Sequence, residues 1–285
     1  MNTILFRSDT LIQLNGPVDS STGAAVDTSP TTCIARLYDE RKETRTAEFQ
    51  TRLTLGADAS ATTLKIPKFT PSTVFGILDT ILIELDDGNT EQRSVSGHLD
   101  TSNAGYDVIT VGSGISYAAS AGNLVFLKIK SSGASVFALE RAGALAVGDQ
   151  VEIYEDDGDL KVANISKLQA VSATEDSVNV LATAAKDQPV FFAVTLDSAF
   201  TGAVSSNARI RRKLGSDVSM TTSFGSFPTT DVVAGDSSWG FRGVIPDTQS
   251  DLVPGQDVRI EVTYDDGANK RLLTSMLAKV LEKTA

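Results

Sequence analysis

The chain has 285 residues, 41% of them hydrophobic, with 36 acidic side chains against 25 basic ones and a formal net charge of -11. That much apolar material builds a core and excludes wholesale disorder, while the acidic field repels phosphate backbones and argues against nucleic acid as a partner. One cysteine, Cys33, leaves no intramolecular disulfide, so burial and strand pairing have to hold the fold.

Residues 1–47 give short strands at 4–6, 11–14 and 32–38, separated by a Ser-, Thr- and Gly-rich loop over 16–30. The segment before Arg7 is far too short for a secretory leader. No stretch approaches the roughly 18 apolar residues of a membrane span. A soluble protein made in a cytoplasm is therefore expected, with no membrane partner. Cys33 sits in a strand pattern and reads as a small buried hydrophobe rather than a nucleophile. The charged run 39–45 reads as a solvated turn.

Two near-copies of one phrase follow. Asp79-Thr80-Ile81-Leu82-Ile83-Glu84-Leu85-Asp86-Asp87-Gly88 returns as Asp149-Gln150-Val151-Glu152-Ile153-Tyr154-Glu155-Asp156-Asp157-Gly158. A third copy alternates Val258, Ile260, Val262 and Tyr264 with polar residues before Asp265-Asp266-Gly267. Alternation with period two places one set of side chains on one face of a strand. Asp-Gly supplies the positive φ of a tight hairpin. Each copy predicts a β-hairpin, and similar modules side by side bury a shared surface.

This divides the chain into four segments. Residues 1–47 are N-terminal strands, 48–128 a first β module, 129–192 a shorter second module and 193–285 a sandwich-like unit. The second module is read from strands at 136–139, the hairpin at 151, 162–165 and 178–181. Strands of the last unit are expected at 191–196, 208–214, 218–224, 239–245 and 258–264, with turn signals spaced as in all-β sandwiches. Residues 272–281 fit a helical face or a strand leaving the last turn, and the nearby turn favours the strand.

Reactive chemistry is thin. His98 is the sole histidine, in Ser96-Gly97-His98-Leu99-Asp100, and reads as an exposed loop residue with no nucleophile motif beside it. Counting back from Gly158 through alternate positions reaches Ile153, which cannot ligate calcium; the same count from Gly88 stops at Leu85. Turn chemistry therefore explains the aspartates better than metal binding. A carboxylate pair for glycoside hydrolysis depends on spatial pairing that a sequence does not display. The glycines fit no phosphate-cradling pattern. No catalytic residue, metal or cofactor is expected.

Arg209, Arg211, Arg212 and Lys213 form a local basic cluster, either a solvated strand or a docking stripe for an acidic neighbouring subunit. Trp239, the one tryptophan, reads as core or as an interface anchor. Leu272 and Leu277, after Gly267, complete the candidate interface.

The last hundred residues resemble the Ig-like modules of tailed-phage virion proteins. The likeness is carried by Trp239-Gly240-Phe241-Arg242-Gly243-Val244-Ile245-Pro246-Asp247, Leu252-Val253-Pro254-Gly255 and 258–264 with its turn. Residues 14–26 with 32–40 look like the opening strands of the same module. Leu55-Gly56-Ala57-Asp58-Ala59-Ser60-Ala61-Thr62-Thr63-Leu64 and Ser116-Tyr117-Ala118-Ala119-Ser120-Ala121-Gly122 resemble small β-barrel inserts of phage structural proteins. The resemblance implies an all-β protein, an Ig-like β-sandwich with two small β-barrel-like modules inserted or stacked. It implies a non-enzymatic virion component, a capsid cement or decoration subunit or a head–tail neck part, partnered by other virion proteins and expected to be a homo-oligomer. A tail or baseplate adaptor that binds host glycans is the alternative. Residues 1–47 are expected to complete the C-terminal sandwich, because an exposed strand edge invites uncontrolled pairing.

Overall fold

The computed structural model describes residues 2–5, 10–15, 32–70, 74–99, 105–139, 145–173, 191–224, 239–246, 252–265 and 270–281. Most of the described residues are in strands, with no helix among them. The first strands are β1 (Asn2–Leu5), β2 (Thr10–Asn15), β3 (Thr32–Arg45), β4 (Gln50–Arg52), β5 (Thr63–Pro67) and β6 (Phe69–Thr70). Then come β7 (Thr80–Glu84), β8 (Thr90–Leu99), β9 (Tyr106–Val111), β10 (Leu124–Lys130), β11 (Val136–Leu139), β12 (Gln150–Tyr154), β13 (Leu160–Ala173) and β14 (Phe191–Leu196). Last are β15 (Val204–Ser205), β16 (Arg209–Lys213), β17 (Val218–Ser219), β18 (Thr221–Phe224), β19 (Trp239–Ile245), β20 (Asp257–Asp265) and β21 (Lys270–Leu281).

The chain divides into two compact units, Met1–Lys42 with Lys213–Ala285, and Glu43–Arg212. In the first unit, β1 lies parallel to β21, with Ile4 opposite Val280. β21 pairs antiparallel with β20, β20 with β3, and β17 takes the other edge of β3. A second sheet runs β18-β19-β2. Ile12 and Ile245 from the second sheet share one core with Ala35, Leu37, Val258, Ile260, Val262 and Val280 from the first.

The segment the sequence left open is a strand. Ala278 and Val280 are buried while Leu277, Lys279 and Leu281 are exposed, the period-two pattern of a half-buried strand. A bulge between Val262 and Thr263 takes up Leu273 and keeps Leu272 on the outer face. The turn at 266–269 lies outside the described residues.

The second unit contains the same four-stranded module twice. The first copy runs β7-β8-β9-β5 and the second β12-β13-β14-β11, and β10 neighbours β7 as β16 neighbours β12. The registers superimpose. Thr80↔Ser94 becomes Gln150↔Asn164 at an offset of 70 (150 minus 80). Thr63↔Thr110 becomes Val136↔Thr195 at offsets of 73 (136 minus 63) and 85 (195 minus 110). Even the bulge is copied, from Val95/Gly97 to Ile165/Lys167.

The left-handed backbone positions fall into pairs by the same offsets: Ser60 with Gly133, Leu78 with Gly148, Gly88 with Gly158, and Gly122 with Asn207. In both hairpins only the glycine takes positive φ, 83° at Gly88 and 89° at Gly158, not the preceding aspartate. The turn is therefore a three-residue loop with a glycine bulge. The Asp87 carboxylate accepts the Asn89 N–H at 3.0 Å and Asp157 accepts the Asp159 N–H at 2.9 Å, bending each turn from within.

The fourth strand of the second copy is β14, which pairs with β11 and β13. The sequence-based reading put 191–196 in the C-terminal sandwich and gave this place to 178–181, which lie outside the described residues. The offset changes from 70 to 85 because 15 more residues (85 minus 70) separate the paired positions of the second copy, four in a longer β13 (173 minus 169) and 11 in the connection that follows it (17 minus 6). That insertion hides the match from a constant-offset comparison.

Leu78 is 67% exposed and sits at φ 70° where the other copy has Gly148. A leucine there carries a steric cost of about 1–2 kcal/mol, against roughly 0.5–1 kcal/mol of extra chain entropy for glycine. Leu78→Gly is therefore expected to raise the urea midpoint slightly. A lower midpoint would contradict that balance.

Candidate functional site

The conspicuous carboxylates fasten loops, and they do so in both modules. Asp79 opens the first copy by accepting the Gly76 N–H at 2.6 Å, and Asp149 opens the second by accepting the Ala146 N–H at 2.9 Å. Each also holds a cation: Lys130 Nζ lies 2.5 Å from Asp79, and Arg212 Nε lies 2.7 Å from Asp149. At the far end Asp86 accepts the backbone N–H and hydroxyl of Ser120 at 2.8 and 3.0 Å. Asp156 repeats this with Ser205 at 3.0 and 2.8 Å. Glu91 clips Ser116, and Glu155 clips Thr201 and the Gly202 N–H. Among the described residues no group of three or more His, Cys, Asp or Glu side chains is placed to hold a metal ion.

These clips fix the acid response. The Ser120 N–H, with its hydroxyl and Asn123, holds Asp86 below the usual carboxylate range against desolvation. The Asn164 side chain and N–H do the same for Asp197. Glu91 is pushed up by desolvation but held down on balance by Ser116 and Arg93. A carboxyl whose pKa is lower folded than unfolded adds stability above its unfolded value, near pH 4, and that stability disappears as pH falls through the folded value. Stability is thus expected to fall on acidification below about pH 4–5, and Asp86→Asn to flatten part of that fall. An unchanged slope in the variant would show that the Ser120 clip is not formed.

The basic cluster is occupied. Arg209 makes a two-pronged contact with Glu43 at 2.8 and 2.6 Å, and the Glu43 hydrogen bond, against desolvation, raises its pKa. Arg211, only 2% exposed, donates to Glu152 and to the Tyr154 hydroxyl, both at 2.8 Å, with its guanidinium 5.4 Å from the Tyr154 ring centre. Arg212 faces Asp149, and Lys213 bonds Asp217 and the Gly215 carbonyl. Arg211 and Lys213 are therefore buried rather than solvated, while Arg209 and Arg212 keep 31% and 21% of their side chains exposed. The arginines' partners sit at long sequence separations, 166 for Arg209 and Glu43, whereas Lys213 pairs with a residue four positions on.

Of the other candidates, Trp239 lies in β19 opposite Phe224, and its side chain is outside the described residues. Leu272 and Leu277 are 56% and 41% exposed on β21, joined by Leu281 at 38%. Cys33 is buried and desolvation pushes its thiol up to about 11, as suits a core residue.

His98 is not a loop residue. It is the penultimate residue of β8, opposite Ile109, with its side chain 13% exposed and Nε2 3.7 Å from the buried Asp107 carboxylate. The two matching positions of the second copy are Leu168 and Phe192, which pack on its core. A polar pair at one end of the first module thus replaces an apolar one.

A cleft of about 630 Å³ opens beside Arg45, Glu48, Lys128 and Asn207, where Lys128 bonds Glu48 at 2.7 Å. The chain matches no family model, no curated protein and no solved structure.

Proposed function

We propose that the chain is a non-enzymatic assembly protein of a tailed-phage virion, a capsid cement or decoration subunit or a neck component. The observation that carries this reading is the duplicated set of carboxylate clips. Aspartates that would have to converge for acid–base or metal chemistry are used twice over, at matching positions, to fasten turns. Repeating modules held rigid in this way suit a passive load-bearing role.

The first unit supports the reading. The order β1-β21-β20-β3-β17, sharing one core with β18-β19-β2, supports reading this unit as an Ig-like sandwich. The two modules leave the chain between β3 and β17, as an insertion in that sandwich. The outward face of β21, with Leu272, Leu277 and Leu281, is the contact surface for neighbouring virion subunits. Single exposed leucines are ordinary, but three on one strand face form a stripe, and many copies in a particle multiply a modest contact into avidity.

Purified protein is expected to co-sediment with particles assembled without it, and Leu277→Asp with Leu281→Asp to reduce that binding while the isolated protein stays folded. Failure of the wild-type protein to bind any head, neck or tail assembly would overturn the reading.

A further inference from the structure

We infer that one strap, running from Arg45 to Thr54, closes both modules, so that neither opens without the other. The inference is independent of the virion reading.

Two short tracts of the strap make the same bonds to the two copies. On the first module, Leu53 N–H donates to Asn123 O at 2.9 Å, Thr54 N–H to Lys65 O at 2.8 Å, and Gly122 N–H returns to Leu53 O at 2.8 Å. On the second, Thr46 N–H donates to Ala208 O at 2.9 Å, Ala47 N–H to Ala138 O at 2.8 Å, and Asn207 N–H returns to Thr46 O at 2.8 Å. Lys65 and Ala138 are equivalent, as are Asn123 and Ala208, by the offsets that relate the strands. An arginine begins each tract: Arg52 Nη1 reaches Gly122 O at 2.8 Å and Arg45 Nη1 reaches Asn207 O at 3.0 Å. The acceptor in each case belongs to a left-handed residue, Gly122 or Asn207. The strand segment that closes the second module therefore precedes the first module in the chain.

Between the tracts Phe49, 1% exposed, packs edge-on against Phe75 of the first copy at 5.3 Å and against Phe191 of the second at 5.0 Å. The Leu127 N–H bonds its carbonyl at 2.7 Å. Val136, Ala138, Phe191 and Ala193 of the second copy accordingly share a core with Leu64, Ile83 and Ile109 of the first. β6, which follows β5 of the first copy, also pairs with the end of β13. Lifting the strap removes β4 from β10 of the first module, the Thr46 and Ala47 hydrogen bonds from the second, and an aromatic ring from the core they share. Tandem repeats that touch only at their ends unfold piecemeal; these two are stitched at the start.

Native-state amide exchange of the full chain in rising urea tests this directly. Amides of β9 and β14 are expected to converge on a single opening isotherm, with one free energy and one urea slope. Two isotherms, one copy opening while the other stays protected, would overturn the inference. Thr46→Pro removes the N–H that closes the second module. Protection is expected to fall by the same factor in β9 and in β14, and a loss confined to β14 would also overturn it. Should that variant not fold, the wild-type isotherms still decide.

Discussion

Phe49→Ala is expected to destabilise the 43–212 unit by about 3–5 kcal/mol, the usual range for a buried phenylalanine truncated to alanine. The ring has no slack around it: it is 1% exposed and wedged between Phe75 and Phe191 at 5.3 and 5.0 Å. Truncation removes two edge-to-face contacts as well as buried area. Typical domain stabilities are about 5–15 kcal/mol, so this one change takes a large fraction. Phe49→Leu, which keeps much of the volume, should lose less. Urea denaturation followed by far-UV circular dichroism measures both. A loss below about 1 kcal/mol for the alanine variant would mean that the ring is not the joint described here.

Glu152→Ala is expected to cost about 3–5 kcal/mol, because it strands the Arg211 guanidinium beside an acid that is gone, in a site where the arginine is 2% and the glutamate 0% exposed. The first module shows how to mend the loss. Its residues at the matching positions are Leu82 and Phe126, which stand opposite each other in register. A buried ion pair replaced by apolar residues is often neutral or stabilising. The double variant Glu152→Leu with Arg211→Phe is thus expected to recover most of the loss that either single change produces. Additive losses in the double-mutant cycle would show that the two positions do not interact.

The hairpins were legible because their signal is local. Alternation and an Asp-Gly turn fall within ten residues, and the structure places β7-β8 and β12-β13 where those copies lie. The end strand β21 was legible for the same reason, since its turn stands next to it in sequence. What sequence reading missed is non-local. The longer connection after β13 shifted the repeat, so 178–181 was mistaken for the strand that is really Phe191–Leu196. The strap was invisible because Thr46 bonds residues beyond position 200 and Ala47 bonds Ala138, in a segment that looked like the end of the N-terminal strands. The arginines at 209, 211 and 212 resembled a surface stripe because their acids, Glu43, Glu152 and Asp149, come from other strands. A signal was present: Glu152 and Tyr154 occupy strand positions held by Leu82 and Glu84 in the first copy, and an acid replacing an apolar residue in a repeated strand asks for a cation. His98 was misplaced because it stands between the hairpin and a Gly- and Asn-rich stretch, whereas β8 runs on through Leu99.

The virion role is tested most directly by quantitative mass spectrometry of highly purified tailed-phage particles from cells that express this chain. The protein is expected at a fixed number of copies per particle, hundreds if it decorates the capsid and about a dozen or fewer if it sits in the neck or tail, multiplicities that follow from closed symmetry. Its absence from the particles, with the protein abundant in the remaining lysate, would contradict the assembly role.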